Sequence, residues 1–303
     1  MKSLYNRILV LTIIPLLLAV SAVYPADYLF SPLNLPDGGY GGDINNLDQI
    51  VGINDGQGFI KDGPTFTTFS PVGAALTAAR GINDNGLIVG VYFDGLFVAH
   101  GFMKNGINYT ILNFPGSITT SAYGINNSGV IVGEYELSNM HGFMTTDGVN
   151  FNPLDYPGST SSRAFGINNT GKIVGEYRDA GGIFHGYLYD GGNFTPINFP
   201  LASNTHAYGI NDKGQVVGSY ENLSGEHGFI KDGNNYTTID FPSTAITRAY
   251  GINYDGEVVG SYFITRNDSA SGFFAAPVPL PNTLLLFGSG LLGLAGWRRF
   301  RKG

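Results

Sequence analysis

Short apolar runs recur along this chain, each one cut off by Asn, Asp and Gly. Residues 207–242 show the unit: Ala207-Tyr208-Gly209-Ile210-Asn211, Asp212-Lys213-Gly214, Gln215 to Tyr220, His227 to Lys231, Asp232-Gly233, and Tyr236 to Pro242. Four apolar or aromatic runs at roughly 8–12-residue spacing read as four short strands, and no helical period appears in the body of the chain. Asn-Asp-Lys-Gly and Lys-Asp-Gly supply the positive-φ residues that hairpin turns demand. Pro242, like Pro115, Pro157 and Pro200, closes the fourth strand, where a missing N–H does least harm.

This unit repeats. A Gly-Ile-Asn segment, a turn and then Val-Val-Gly-x-Tyr, with small variations, begin at Asp43, Gly81, Gly124, Gly166, Gly209 and Gly251; from Gly81 onward the spacings are 43, 42, 43 and 42 residues. A period of that size marks a repeat architecture in which each unit buries its apolar face against its neighbours. Four antiparallel strands in about 40–45 residues form the blade of a β-propeller. The fourth strand ends at Phe69, Phe114, Tyr156, Phe199 and Phe241, whereas the last unit stops after Phe273-Phe274. The missing copy stands at the front, Tyr28 to Pro36. An N-terminal strand that completes a C-terminal blade closes a ring without an exposed edge. The phasing therefore predicts an all-β, six-bladed β-propeller over residues 27–276, closed by an N-terminal strand.

The two ends read as addresses rather than fold. Lys2 and Arg7, an apolar run from Ile8 to Val20, and Val20-Ser21-Ala22 make residues 1–22 a signal peptide with cleavage after Ala22. At the other end, Val278-Pro279-Leu280-Pro281 precedes a glycine-rich apolar stretch over residues 283–297 and the basic cluster Arg298, Arg299, Arg301 and Lys302. Those 15 apolar residues span roughly 22 Å as a helix against a hydrocarbon core of about 30 Å; extension back to Val278 gives 20 residues. The basic cluster sets the cytoplasmic side, so a C-terminal transmembrane helix is predicted.

Residues 277–303 resemble the PEP-CTERM sorting signal of Gram-negative bacteria, with Val278-Pro279-Leu280-Pro281 similar to its VPLPA variant. Leu280 stands where the family name has Glu, and Asn282-Thr283 where the variant has Ala. The resemblance implies export through the inner membrane, anchoring before processing, recognition by an exosortase-type protease, and a place at the cell surface or in the extracellular matrix. His100-Gly101-Phe102, His141-Gly142-Phe143, His185-Gly186-Tyr187 and His227-Gly228-Phe229, together with the Gly-Ile-Asn segments, resemble the HAF family of extracellular repeats. Neither resemblance implies a known activity.

Composition narrows the function classes. Charged residues are only 13% of the chain, and there is no cysteine, which excludes disulfides and thiolate metal sites. Without the six basic residues at the termini, 10 basic residues face 23 acidic ones. An acidic body without a Lys/Arg stripe argues against nucleic acid as a partner.

Candidate chemistry is sparse. The four repeat histidines could bind zinc only if equivalent positions converged on the axis; the simpler reading has each bonding a neighbouring loop, and no metal is assigned. Asn83-Asp84-Asn85-Gly86 resembles part of a calcium loop, but Gly95 stands at the twelfth position, where an acidic residue is needed. Sequons at Asn108, Asn193 and Asn235 follow from composition. Glu134 and Glu176 could form paired carboxylates but are expected on an exposed strand face. The position three before the repeat glycine holds Ala78, Ser121, Arg163, His206 and Arg248; the cationic three are predicted to face one rim and to contact an anion or uronic acid.

No nucleophile elbow, zinc-protease helix or phosphate loop appears, so no catalytic residue and no cofactor is assigned. The expected function is an exported, surface-anchored or exopolysaccharide-associated protein that binds acidic polysaccharide or surface proteins without catalysis. The alternative is a glycan-active hydrolase or lyase on the same scaffold; a third is an enzyme subunit that docks partners through the ring.

Overall fold

The computed structural model describes residues 28–36 and 39–278. The signal segment 1–22 with Ala22, the motif residues Pro279, Leu280 and Pro281, the transmembrane segment 283–297 and the cluster Arg298, Arg299, Arg301 and Lys302 lie outside these residues. Val278, the first residue of the sorting motif, is exposed at the end of the described chain. Among the described residues all regular structure is strand, 24 in number, and no helix is long and apolar enough to cross a membrane.

The strands form repeated four-stranded antiparallel meanders, as in a β-propeller. Four stand as separate sheets, over residues 40–69, 76–112, 119–153 and 161–197. Two more, residues 204–238 and residues 246–277 with 28–32, are joined by a parallel bridge between Glu226 and Ile246. The strand Tyr28–Pro32 pairs antiparallel with Ser271–Pro277, from Tyr28 opposite Pro277 to Pro32 opposite Phe273. The predicted clasp is therefore formed. First strands of successive units pack side by side, and Tyr40–Ile44 packs against the last unit as well as the second, closing the arrangement around an axis.

The repeat residues explain the packing. The second-strand glycine of Val-Gly-x-Tyr lies under the aromatic ring of the third strand: a Cβ on Gly133 would collide with the Ser121 carbonyl and stand 2.7 Å from the Phe143 ring. Phe59, Phe102, Phe143, Tyr187, Phe229 and Phe273 are fully buried at equivalent positions. The aromatic residue before each loop proline stacks on the tyrosine of the next unit: Phe114 on Tyr135 at 3.6 Å, Tyr156 on Tyr177 at 3.7 Å and Phe199 on Tyr220 at 3.6 Å. Apolar area is thus buried between units as well as within them, the condition a repeat protein needs.

Candidate functional site

Every first strand carries a register shift just before its repeat glycine: between Gly41 and Asp43, Ala79 and Gly81, Ala122 and Gly124, Ala164 and Gly166, Ala207 and Gly209, and Ala249 and Gly251. A β-bulge leaves one residue out of the ladder and re-aims its side chain. The residues left out are Gly42, Arg80, Tyr123, Phe165, Tyr208 and Tyr250, and all of them line one cavity on the axis. Its volume is about 260 Å³.

The rings form a chain of edge and tilted contacts around the cavity, with Tyr123 and Phe165 at 5.0 Å, Phe165 and Tyr208 at 5.4 Å, and Tyr208 and Tyr250 at 5.3 Å. Tyr250 then meets Tyr40 at 5.6 Å. Gly42 leaves a gap in this circuit, and Arg80 leans across it. Its guanidinium carbon stands 5.9 Å from the Tyr40 ring centre and Nη1 donates to the Tyr40 hydroxyl at 3.4 Å. Its Nε is buried without a partner.

Above the rings lies a girdle of side-chain amides built from the repeat asparagines. Asn126 shows the pattern: Oδ1 accepts from the N–H groups of Ser128 and Val130, and Nδ2 donates to the Asn168 carbonyl at 3.2 Å. Asn45 reaches the Asn83 carbonyl, Asn83 that of Asn126, Asn168 that of Asn211, and Asn211 that of Asn253. At the seam Asn253 donates to Asp48 Oδ1 at 3.1 Å and Tyr254 N–H to Asn46 Oδ1 at 2.8 Å. These amides are buried and saturated, so they hold the ring together and leave little for a ligand.

Three acidic groups, Asp43, Asp84 and Asp212, line the same cavity. Asp43 replaces the repeat glycine; burial pushes its carboxyl up to about 7, against the N–H groups of Ile82 and Ile44 that it accepts from. For Asp84, burial acts upward but is outweighed by hydrogen bonds from Asn127 and Asn46, which hold it below the usual carboxylate range. The turn it belongs to, Asn83-Asp84-Asn85-Gly86, is thus occupied with hydrogen bonds between units.

The three cations selected from sequence sit on equivalent first-strand positions, and each meets glutamate. Arg163 Nε lies 2.8 Å from Glu134 Oε2 and Nη1 is 2.5 Å from Glu176 Oε1; His206 Nδ1 is 2.5 Å from Glu176 Oε2. Arg163 and His206 are thereby joined through Glu176. Arg248 stands apart, held by both oxygens of Glu226 at 2.7 Å each.

The expectation that Glu134 and Glu176 face solvent is overturned. They are 8% and 4% exposed, because the strand face that carries them packs against the next unit's first strand. Burial pushes Glu134 up against the pull of Arg163 and Tyr123; for Glu176, burial is outweighed by His206 and Arg163, which hold it low. The repeat histidines bond loops of their own unit, as expected. His100 contacts Asp94 and Asn113, His185 contacts Asp179 and Asn198, and each also stacks on a tyrosine. His141 reaches Asp155 and His227 reaches Asp240. Among the described residues, no three His, Asp or Glu side chains gather as metal ligands would.

Arg80 and Asp43 escaped the sequence reading. Their signal was present, since Asp43 stands where the other units have Gly, and Arg80 where the later ones have Tyr or Phe. Only the bulge shows that this position faces the axis.

Residues 277–302 match the PEP-CTERM protein-sorting motif. A signal of this kind implies export and membrane-associated sorting in Gram-negative bacteria, with an exosortase as the processing partner. No curated protein matches the sequence. Among solved structures, a gluconolactonase from Xanthomonas campestris is similar at 9% identity and TM-score 0.53, over 83% of this chain and 90% of that one. A mutant of AofleA from Arthrobotrys oligospora is similar at 12% identity and TM-score 0.51, over 84% and 90%. The β-propeller domain of the Trilobed protease from Pyrococcus furiosus has 14% identity and TM-score 0.46, over 78% and 95%. At these identities the likeness concerns the fold alone.

Proposed function

We propose that this chain is an exported, surface-sorted six-bladed β-propeller of HAF-type repeats that binds an acidic exopolysaccharide and does not turn it over. The four-stranded meanders, counted with the N-terminal strand as part of the last, supply the six blades. The Val278 to Pro281 segment is read as the VPLPA variant of the sorting signal, handed to an exosortase-type protease from a membrane-anchored state. The observation that carries the binding reading is the axial cavity, whose walls are rings and amides. The groups that define the repeat are spent on holding the ring, which is what a scaffold does.

In this reading Arg163, His206 and Arg248 form a rim contact. Glu134, Glu176 and Glu226 balance their charge in the free protein, so a polyanion would compete for them. Retention of the exported full chain, in detergent, on immobilised alginate tests this. Arg163→Gln combined with Arg248→Gln is expected to weaken retention at least tenfold, and unchanged retention removes the rim from the reading.

One observation favours the alternative of a glycan-active hydrolase or lyase. Asp43, with its pKa near 7, and Asp84, held low, line one cavity, and carboxyls pushed apart in this way serve elsewhere as acid and base. A reducing-end release screen with the wild type and Asp43→Asn separates the readings. Product from the wild type that disappears in the variant establishes the alternative and overturns binding without turnover.

A further inference from the structure

We propose that the axial cavity is a site for a single sugar-acid residue, whose carboxylate is held by Arg80. This rests on the binding reading above and assigns that reading a ligand class and an anchor.

The other interior cations of the inner strands are already paired: Arg163 with Glu134 and Glu176, and Arg248 with Glu226. Arg80 has no carboxylate within 4.0 Å among the described residues. It enters the cavity from a bulge, half-buried, with Nε orphaned and only a 3.4 Å contact from Nη1 to the Tyr40 hydroxyl. The tyrosine rings around it favour the charged form, yet its hydrogen-bonding fork is left almost unused, and an anion would fill it. The planar fork matches a carboxylate, taking both oxygens at once.

The rest of the cavity selects what the carboxylate belongs to. Tyr208 and Tyr250 offer ring faces, their hydroxyls being engaged by Ser219 and Ser261, and such faces suit the C–H side of a pyranose. A volume of about 260 Å³ lies just below the roughly 300–1,000 Å³ of common small-molecule sites, so one ring fits and a chain does not. The mouth carries Asp84 and Asp212, which disfavour polyanions that would thread inward. A terminal or released sugar acid is the ligand that satisfies all of these features.

The test is calorimetric titration of the full chain in detergent with glucuronate, glucose, acetate and inorganic phosphate. Glucuronate is expected to bind at least tenfold more tightly than glucose and than acetate, and phosphate more weakly than glucuronate. Arg80→Gln is expected to abolish the preference for glucuronate over glucose. Arg80→Lys keeps the charge but not the fork and is expected to lose about tenfold, while Lys104→Gln, which removes an outer charge, leaves the affinity unchanged. Thermal melting confirms that each variant is folded. Equal binding of glucuronate and glucose, an undiminished preference in Arg80→Gln, or tighter binding of phosphate overturns the assignment. Should glucuronate fail to bind while alginate retention persists, this inference falls and the binding reading stands. Loss of retention on alginate with glucuronate binding intact removes the polymer from the binding reading and leaves a site for the free sugar acid.

Discussion

Asp43 is a carboxyl whose chemistry departs far from its type. It takes the place of a repeat glycine, its carboxylate packs against Gly251, and one oxygen accepts the Ile82 N–H at 3.1 Å. Its pKa, about 7 when folded, is raised above the ordinary value of 3.8. The folded state therefore holds its proton more tightly than the unfolded chain, and stability from this group is present below pH 4 and lost as pH rises toward 7. Carboxylates held low, such as Asp84, act in the opposite sense and lose their contribution as pH falls below the ordinary carboxylate range. Urea midpoints measured at pH 4.5 and 7.5 are expected to differ less in Asp43→Asn than in the wild type, with the gain of the variant confined to the higher pH. A parallel shift of both midpoints would contradict this account.

Among the elements, the turn after each first strand does more than reverse the chain. Its asparagine accepts two N–H groups from its own turn and donates to the next unit, so local turn chemistry and the contact between units depend on one side chain. Asn126→Ala removes three hydrogen bonds at a buried site and is expected to cost about 2–4 kcal/mol in denaturant unfolding. Asn127→Ala, one residue on and exposed, is expected to cost about 1 kcal/mol or less. Equal effects at the two positions would show that the girdle does not bear on stability.

For the whole molecule, closure is the decisive feature. The strand Tyr28–Pro32 covers the edge of Ser271–Pro277, and Phe30 packs between Phe241 and Phe273 at 5.9 and 5.7 Å. Without it the last unit keeps an unpaired edge, which invites association between chains. Phe30→Ala is expected to lower stability by about 1–3 kcal/mol. Deletion of residues 28–36 is expected to move the protein to larger species on size exclusion. A deletion variant that stays monodisperse with an unchanged unfolding midpoint would show that the clasp is dispensable.

The regular part of this protein is legible in its sequence because it obeys short-range rules. Short apolar runs, Asn-x-x-Gly turns and loop prolines specify strands, and the displaced fourth strand at Tyr28 to Pro36 specifies the clasp. The terminal sorting signal is legible for the same reason, since it is a linear pattern. What the sequence did not show is which polar residues end up together. Glu134 and Glu176 looked like surface residues because strand alternation says nothing about the neighbouring unit that buries them. Arg163 and Arg248 looked like free cations, yet the fold pairs them with glutamates 13 to 29 residues away in sequence. Arg80 looked ordinary, and a bulge turned it to the axis. The sequence by itself thus determined the units and their order, which follow from local pattern. The tertiary structure alone decided which charge was left without a partner, because pairing depends on distances across units that no local pattern encodes.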